Sequence, residues 1–259
     1  MQSDSPIADS NGGEVLGKVA AVTFSFWIIK ILCTTLGEIG GDAVTMSMRL
    51  GYLVGTLIFA AIFLAAVVAQ VLANKFHPFL YWTTIIATTT VGTTMADFAD
   101  RSLGIGYAGG TATLLGLLLA SLGVWYWSAG SVSVETVRSP KTEVFYWVTI
   151  MFSQTLGTAL GDWAADDAGL GYRGGVAAFS LLLAIVAACY FWTKISRTFL
   201  FWAAFILTRP LGAVLGDTLD KPLADGGLNL SRYTGSAVLL VAIVACIVIF
   251  PQRAAKSAH

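Results

Sequence analysis

Long apolar runs, each broken by a short polar or glycine-containing link, recur from Val19 to Phe250 and predict eight helices. Their expected bounds are residues 19–42, 50–73, 79–98, 105–127, 144–163, 171–193, 198–217 and 232–250. Runs of about 20 apolar residues match the ~30 Å hydrocarbon thickness of a bilayer. In lipid a backbone must satisfy its own hydrogen bonds, so these runs are read as helices rather than loose segments.

The polar positions inside the runs are periodic on a longer scale. Four stretches share one frame of an aromatic residue, Trp, nine residues, Gly, four residues, Asp. They are Phe26-Trp27…Gly37…Asp42, Tyr81-Trp82…Gly92…Asp97, Tyr146-Trp147…Gly157…Asp162 and Phe201-Trp202…Gly212…Asp217, beginning 55, 65 and 55 residues apart. A second landmark, Gly51-Tyr52, Gly106-Tyr107 and Gly171-Tyr172, starts nine residues after the Asp, with Gly55, Gly110 and Gly175 following. The fourth copy departs by the insert KPLADGGLNLSR before Tyr233.

Fixed spacing of this kind is the mark of an internal repeat. The expected fold is an all-α integral membrane protein of eight transmembrane helices, arranged as four tandem two-helix repeats in direct orientation. Two helices per repeat return the chain to its starting side. The expected divisions are a polar tail at 1–18, repeats at 19–75, 76–130, 144–195 and 196–251, an inter-half loop at 131–143, and a second tail at 252–259.

Composition agrees. Of 259 residues, 56% are hydrophobic and 12% charged, with a mean hydropathy of +0.77, whereas soluble domains carry about 25% charged residues. Net charge is zero and no basic stripe exists, which argues against a nucleic-acid partner. Cys33, Cys189 and Cys246 stand singly in apolar runs and read as packing residues. The acidic N-terminus lacks the basic region of a cleavable signal, so Leu16–Leu36 is expected to be retained as a helix.

Lys and Arg fall eight to five between the two faces. Lys18, Lys75, Arg138, Lys141, Lys194, Arg197, Arg253 and Lys256 stand on the side of the termini, and Arg49, Arg101, Arg173, Lys221 and Arg232 on the other. That bias places both termini in the cytoplasm and the acidic ends outside. The Trp residues, eight in all, are read mainly as aromatic-belt residues.

The candidate chemistry lies at the acidic ends. On an ideal helix Thr35, Glu38 and Asp42 share a face, so Glu38 and Asp42 can present two carboxylates to one ion. In the other repeats the second acid follows the first, as Asp97/Asp100, Asp162/Asp166 and Asp217/Asp220, and Thr90 and Thr155 occupy the slot of Thr35. Oxygen donors suit Mn²⁺, Mg²⁺, Ca²⁺ or protons. His77 and His259, the two histidines, are poorly placed for an imidazole zinc site. The motif glycines Gly37, Gly92, Gly157 and Gly212 permit close helix approach.

Isolated acids at helix ends also serve as caps or surface ion pairs, and Asp97–Arg101 and Asp217–Lys221 have i, i+4 spacing. Lys30 and Arg209 are charges inside the first and last repeats, each eight residues before a motif acid. They are read as internal counter-ions, with snorkelling as the alternative. The matching slots hold Ile85 and Ile150 for Lys30, and Thr89 and Gln154 for Arg209.

The quoted frame, with FWIIKILCTTLGEIGGDAVTMSM followed by GTT…D, LGTALGD and LGAVLGD, resembles bacterial membrane-anchored proteins built from a repeat of unknown function. That resemblance implies a multi-spanning inner-membrane protein with tandem repeats. A looser similarity links EIGGDAVT to the calcium/manganese cation exchangers, although Ala43 stands where their basic residue belongs.

The leading functional expectation is a transporter of a small cation, a divalent metal such as manganese, coupled to protons. The metal would be its substrate, and no resident cofactor is expected. No Ser/His or Cys/His arrangement, HExxH or phosphate-cradling loop is present, so no catalytic residue is assigned and the chain is read as not an enzyme. The alternatives are an organic-cation permease, an intramembrane metal-dependent enzyme and a structural membrane protein. Its expected surroundings are the lipid bilayer and a small cation, and the oligomeric state is left open.

Overall fold

The computed structural model describes residues 17–255. The tail 1–16, Lys256 and His259 therefore lie outside the described residues. Within them the chain forms eight α-helices: α1 (Phe24–Asp42), α2 (Tyr52–Leu72), α3 (Pro78–Asp97), α4 (Tyr107–Ala129), α5 (Pro140–Asp162), α6 (Gly171–Trp192), α7 (Arg197–Asp220) and α8 (Arg232–Ile249). No strand occurs among the described residues, which fits the all-helical expectation.

Local sequence explains several boundaries. Thr23 caps α1 by accepting from the Phe26 amide at 3.2 Å. Ser139 and Thr142 form a capping box at α5, and Pro78 and Pro140 occupy first-turn positions where no N–H is needed.

The expected helix over Leu16–Leu36 begins instead at Phe24. Residues Gly17–Ala21 run alongside Arg253–Ala255, exchanging backbone hydrogen bonds at 2.9–3.1 Å. Both described ends of the chain therefore lie together at one end of the bundle. Lys18 fastens them there, with its Nζ 2.6 Å from Glu143 and donating to the Val71 carbonyl at 2.9 Å.

The first helix of each repeat belongs to an inner ring. α1 packs on α3 and α7, and α5 packs on the same two, closing the circle α1–α3–α5–α7. The second helix of each repeat lies outside and packs on the inner helix of the next repeat. Thus α2 rests on α3, α4 on α5, α6 on α7, and α8 returns to α1. The fourth repeat closes on the first.

Burial follows this plan: 61% of the apolar window of α1 and of α7 is buried, against 11–17% for the outer helices. The outer helices expose apolar side chains such as Leu57, Leu64, Leu119, Leu181 and Val241, a surface suited to lipid rather than water. Six helices are long and apolar enough to cross a membrane. The other two, α3 and α5, have their polar residues turned into the ring, where Thr88, Thr89, Thr93, Ser153, Gln154 and Thr158 are fully buried.

The frame aromatics close one end of the ring. Tyr81 and Tyr146 join hydroxyls at 2.7 Å, and Phe26, Trp82, Trp147, Phe201 and Trp202 stack around them. The belt assignment is therefore corrected for Trp82, Trp125, Trp147 and Trp202, which are buried; Trp127 and Trp192 are the strongly exposed ones. The indole N–H groups of Trp82 and Trp202 find the Gln252 side chain and the Val132 carbonyl, so these rings are held as core.

At the opposite end, α1, α3 and α5 each run past the motif Asp into a five-residue π-helical turn (Ala43–Ser47, Phe98–Ser102, Trp163–Asp167). Gly51 and Gly106 then adopt φ of 77° and 76° with extended ψ, a conformation essentially confined to glycine. That requirement accounts for the Gly-Tyr landmark in those two repeats.

Candidate functional site

The inner helices meet in register. Seven residues after each frame Trp stand Thr34, Thr89, Gln154 and Arg209. Each packs against the motif glycine of the preceding repeat: Thr89 on Gly37, Gln154 on Gly92, Arg209 on Gly157, and Thr34 on Gly212. A Cβ at these glycines would lie 2.1–3.0 Å from the neighbour, so only glycine lets the four helices approach this closely. The same contact made four times around the circle is what the recurring Gly provides.

One turn further on, the slots hold Glu38, Thr93, Thr158 and Ala213. The Arg209 guanidinium reaches across the ring axis to this level. Its Nη2 donates to Glu38 Oε2 at 2.9 Å, to Thr93 Oγ1 at 2.5 Å and to Thr158 Oγ1 at 2.5 Å. One nitrogen of the fourth repeat thus touches the equivalent residue in each of the other three. Arg209 is fully buried and Glu38 nearly so. Pro210, inside α7, has no N–H to continue the helical ladder behind it.

The motif aspartates lie one more turn along, all buried. Lys221 Nζ sits 2.6 Å from Asp42 Oδ2 and 3.2 Å from Asp217 Oδ1. Arg101 contacts Asp97 at 2.8 Å and Asp162 at 3.7 Å. Each base therefore joins the aspartate of its own repeat to that of the next. Arg232 adds contacts to Asp220 at 2.5 Å and Asp42 at 3.6 Å. Repeats two and four share the pattern Asp-x-x-Asp-Arg/Lys, at Asp97–Arg101 and Asp217–Lys221, so the mouth has a twofold as well as a fourfold order. Asp42, Asp217 and Asp220 bring one carboxylate oxygen each within 4.8 Å of the others, a spacing that a single metal ion could span.

The other sequence-predicted residues fall in distinct places. Thr35, Thr90 and Thr155 donate their hydroxyls to the carbonyls of Ile31, Ile86 and Met151 at 2.8–3.0 Å, so they bond along their own helices. The side chain of Asp100 is packed against Gly110, and neither carboxylate oxygen has a hydrogen-bond partner among the described residues. Asp166 is exposed on its π-helical turn, away from the buried carboxylates. Lys30 is fully buried, donating to Thr208 Oγ1 at 3.3 Å with its Nζ 4.0 Å from the centroid of the Phe205 ring.

Sequence reasoning left out Thr93 and Thr158, which hold Arg209, and gave Arg101 and Lys221 only the role of local ion pairs. The signal for the threonines was present, because they occupy the slot of Glu38 in the repeat alignment. For the bases only half was present: the i, i+4 partner is visible in sequence, whereas the second partner is 61 residues away for Arg101 and 179 for Lys221.

No curated protein and no solved structure matches the chain. The looser likeness to cation exchangers gains no support from these comparisons. One family model matches four successive segments, residues 25–76, 80–131, 145–196 and 200–251, which begin at the same 55, 65 and 55 spacing as the aromatic–Trp pairs. The chain belongs to the family described as a repeat of unknown function (DUF347), in four tandem copies.

Proposed function

We propose that the chain carries a small cation, a divalent metal such as Mn²⁺, across the bacterial inner membrane in exchange for protons, with both termini cytoplasmic. The observation that carries this reading is the place of Lys221. Its ammonium lies between carboxylates of the first and last repeats, within hydrogen-bonding distance of Asp42 and Asp217. A tethered cation thus holds a position that a free one could take. Its flexible four-carbon stem would let it withdraw to solvent when the substrate binds.

Charge supports the same reading. Six of the acids singled out in the repeats, Glu38, Asp42, Asp97, Asp162, Asp217 and Asp220, outnumber the four bases that pair with them, Arg101, Arg209, Lys221 and Arg232. Clustered oxygens with surplus negative charge favour a hard divalent ion. When the ion leaves, protons can take its place on the carboxylates. Arg209 would then be the barrier on the axis, its bond to Glu38 exchanged for one between Glu38 and the passing ion.

The test is Mn²⁺ uptake into proteoliposomes driven by a proton gradient. Asp217→Asn is expected to lower the rate at least about tenfold, while Asp225→Asn, an exposed residue outside the cluster, transports as wild type. Wild-type rates in Asp217→Asn would refute the assignment. A structural reading also has an observation behind it, since Arg101 and Lys221 tie neighbouring repeats. Under that reading Asp217→Asn lowers stability and no variant has uptake to lose.

A further inference from the structure

Between the aromatic layer and the aspartates, the inner helices carry three charged residues, Lys30, Glu38 and Arg209. Arg209 takes Glu38 as its partner. Lys30 pairs with no carboxylate among the described residues, and its one hydrogen bond, to Thr208, is neutral. With Lys30 protonated, the closed part of the ring holds one positive charge in excess. Burying an uncompensated charge is strongly unfavourable, and a single cation–π contact offsets only part of that cost.

The same layer is rich in groups without partners. Arg209 uses Nη2 on the level of Glu38, and its Nε and Nη1 are left over. Gln154 has neither amide atom paired, and the hydroxyls of Thr89 and Ser153 are also free. All of these residues are fully buried. Arg209, Gln154, Thr89 and Lys30 share one neighbourhood. Gln154 and Thr89 lie one helical turn below Thr158 and Thr93, the residues that hold Nη2. Arg209 packs on Gly157, three residues from Gln154 on α5. Lys30 reaches Thr208, the residue before Arg209.

We propose that this layer binds one small monovalent anion of halide size, held by Arg209, Lys30 and the Gln154 amide, with Thr89 donating its hydroxyl. One negative charge balances the surplus, and a spherical ion needs only converging donors rather than a shaped pocket. A polyatomic or divalent anion fits less well, because the glycine contacts hold the helices too close for bulk and the surplus is a single charge. The site lies below the aspartates and shares Arg209 with the proposed cation path, but its test does not require cation transport.

The experiment follows thermal unfolding of the purified full chain in detergent while chloride replaces gluconate at constant ionic strength. The midpoint is expected to stay level below the dissociation constant and to rise with the logarithm of chloride above it, by about 5 °C over a hundredfold range. Lys30→Met removes the surplus charge and should flatten the response. Gln154→Leu keeps the charge but removes a donor, and should move the chloride concentration at which the rise begins upward by at least about tenfold. A wild-type midpoint indifferent to chloride would mean that the layer is balanced without an ion and would overturn the proposal. So would an unchanged wild-type response in either variant, and Gln154→Leu decides the matter if Lys30→Met does not fold.

Discussion

Replacing Arg209 with methionine, a side chain of similar reach, is expected to cost about 3–5 kcal/mol of stability, the usual penalty for removing one partner of a buried ion pair. The loss comes chiefly from what remains. Glu38 would keep its charge in the closed ring with its guanidinium partner gone, and Thr93 and Thr158 would lose the donor that joins them. Pairing Arg209→Met with Glu38→Gln should recover most of the loss, because the second change removes the stranded charge. Arg101→Met gives the comparison. Its side chain is 33% exposed, whereas that of Arg209 is fully buried, so solvent screens more of the charge left on Asp97 and Asp162 and the cost should be smaller. Thermal unfolding of the three variants and the wild type, read by tryptophan fluorescence, checks the order. A single Arg209 variant no less stable than Arg101→Met would contradict the axial role.

The second large effect is expected at the glycine contacts. In Gly212→Ala the new Cβ would lie 2.1 Å from Thr34 Oγ1 and 2.9 Å from the Thr34 backbone carbonyl carbon. Rotation of the hydroxyl relieves the first clash and nothing local relieves the second. α7 must then move away from α1, at a cost of about 1–3 kcal/mol or more. As α1 and α7 join the last repeat to the first, the circle would open at its closing seam. Gly116→Ala on α4 meets nothing within 4 Å and should be neutral or mildly stabilising, since alanine is the better helix former by up to about 1 kcal/mol. The fraction of protein that stays monodisperse on heating separates the two. Equal behaviour would show that the glycines do not set the helix spacing.

These contacts also mark where sequence reasoning stops. The four frames and their helices were legible because apolar run length and fixed spacing are properties of one strand of text. What touches what is not. A repeat alignment says that Gly37, Gly92, Gly157 and Gly212 are equivalent, but each meets a residue of the next repeat, and no spacing within one repeat encodes that. The helical wheel placed Thr35 on the face of Glu38 and Asp42. It could not show that its hydroxyl turns back to the Ile31 carbonyl.

Tryptophan misled for a physical reason. Its amphipathic ring suits a membrane interface, yet a ring of helices also needs large side chains to fill its end, and Trp82 and Trp147 do so beside Tyr81 and Tyr146. The π-helical turns depend on a shift in hydrogen-bond register after the Asp, for which composition gives no sign. Arg101 and Lys221 looked like ordinary surface pairs because only the near partner is visible in sequence.

The most direct measurement is calorimetric titration of Mn²⁺ into the purified wild-type chain and into Asp42→Asn. Asp42 belongs to the three-carboxylate cluster and is the nearest acid to the Lys221 ammonium. Saturable binding by the wild type that is lost in the variant is the result this account predicts. Absence of binding in the wild type, or equal binding by the two proteins, would contradict it.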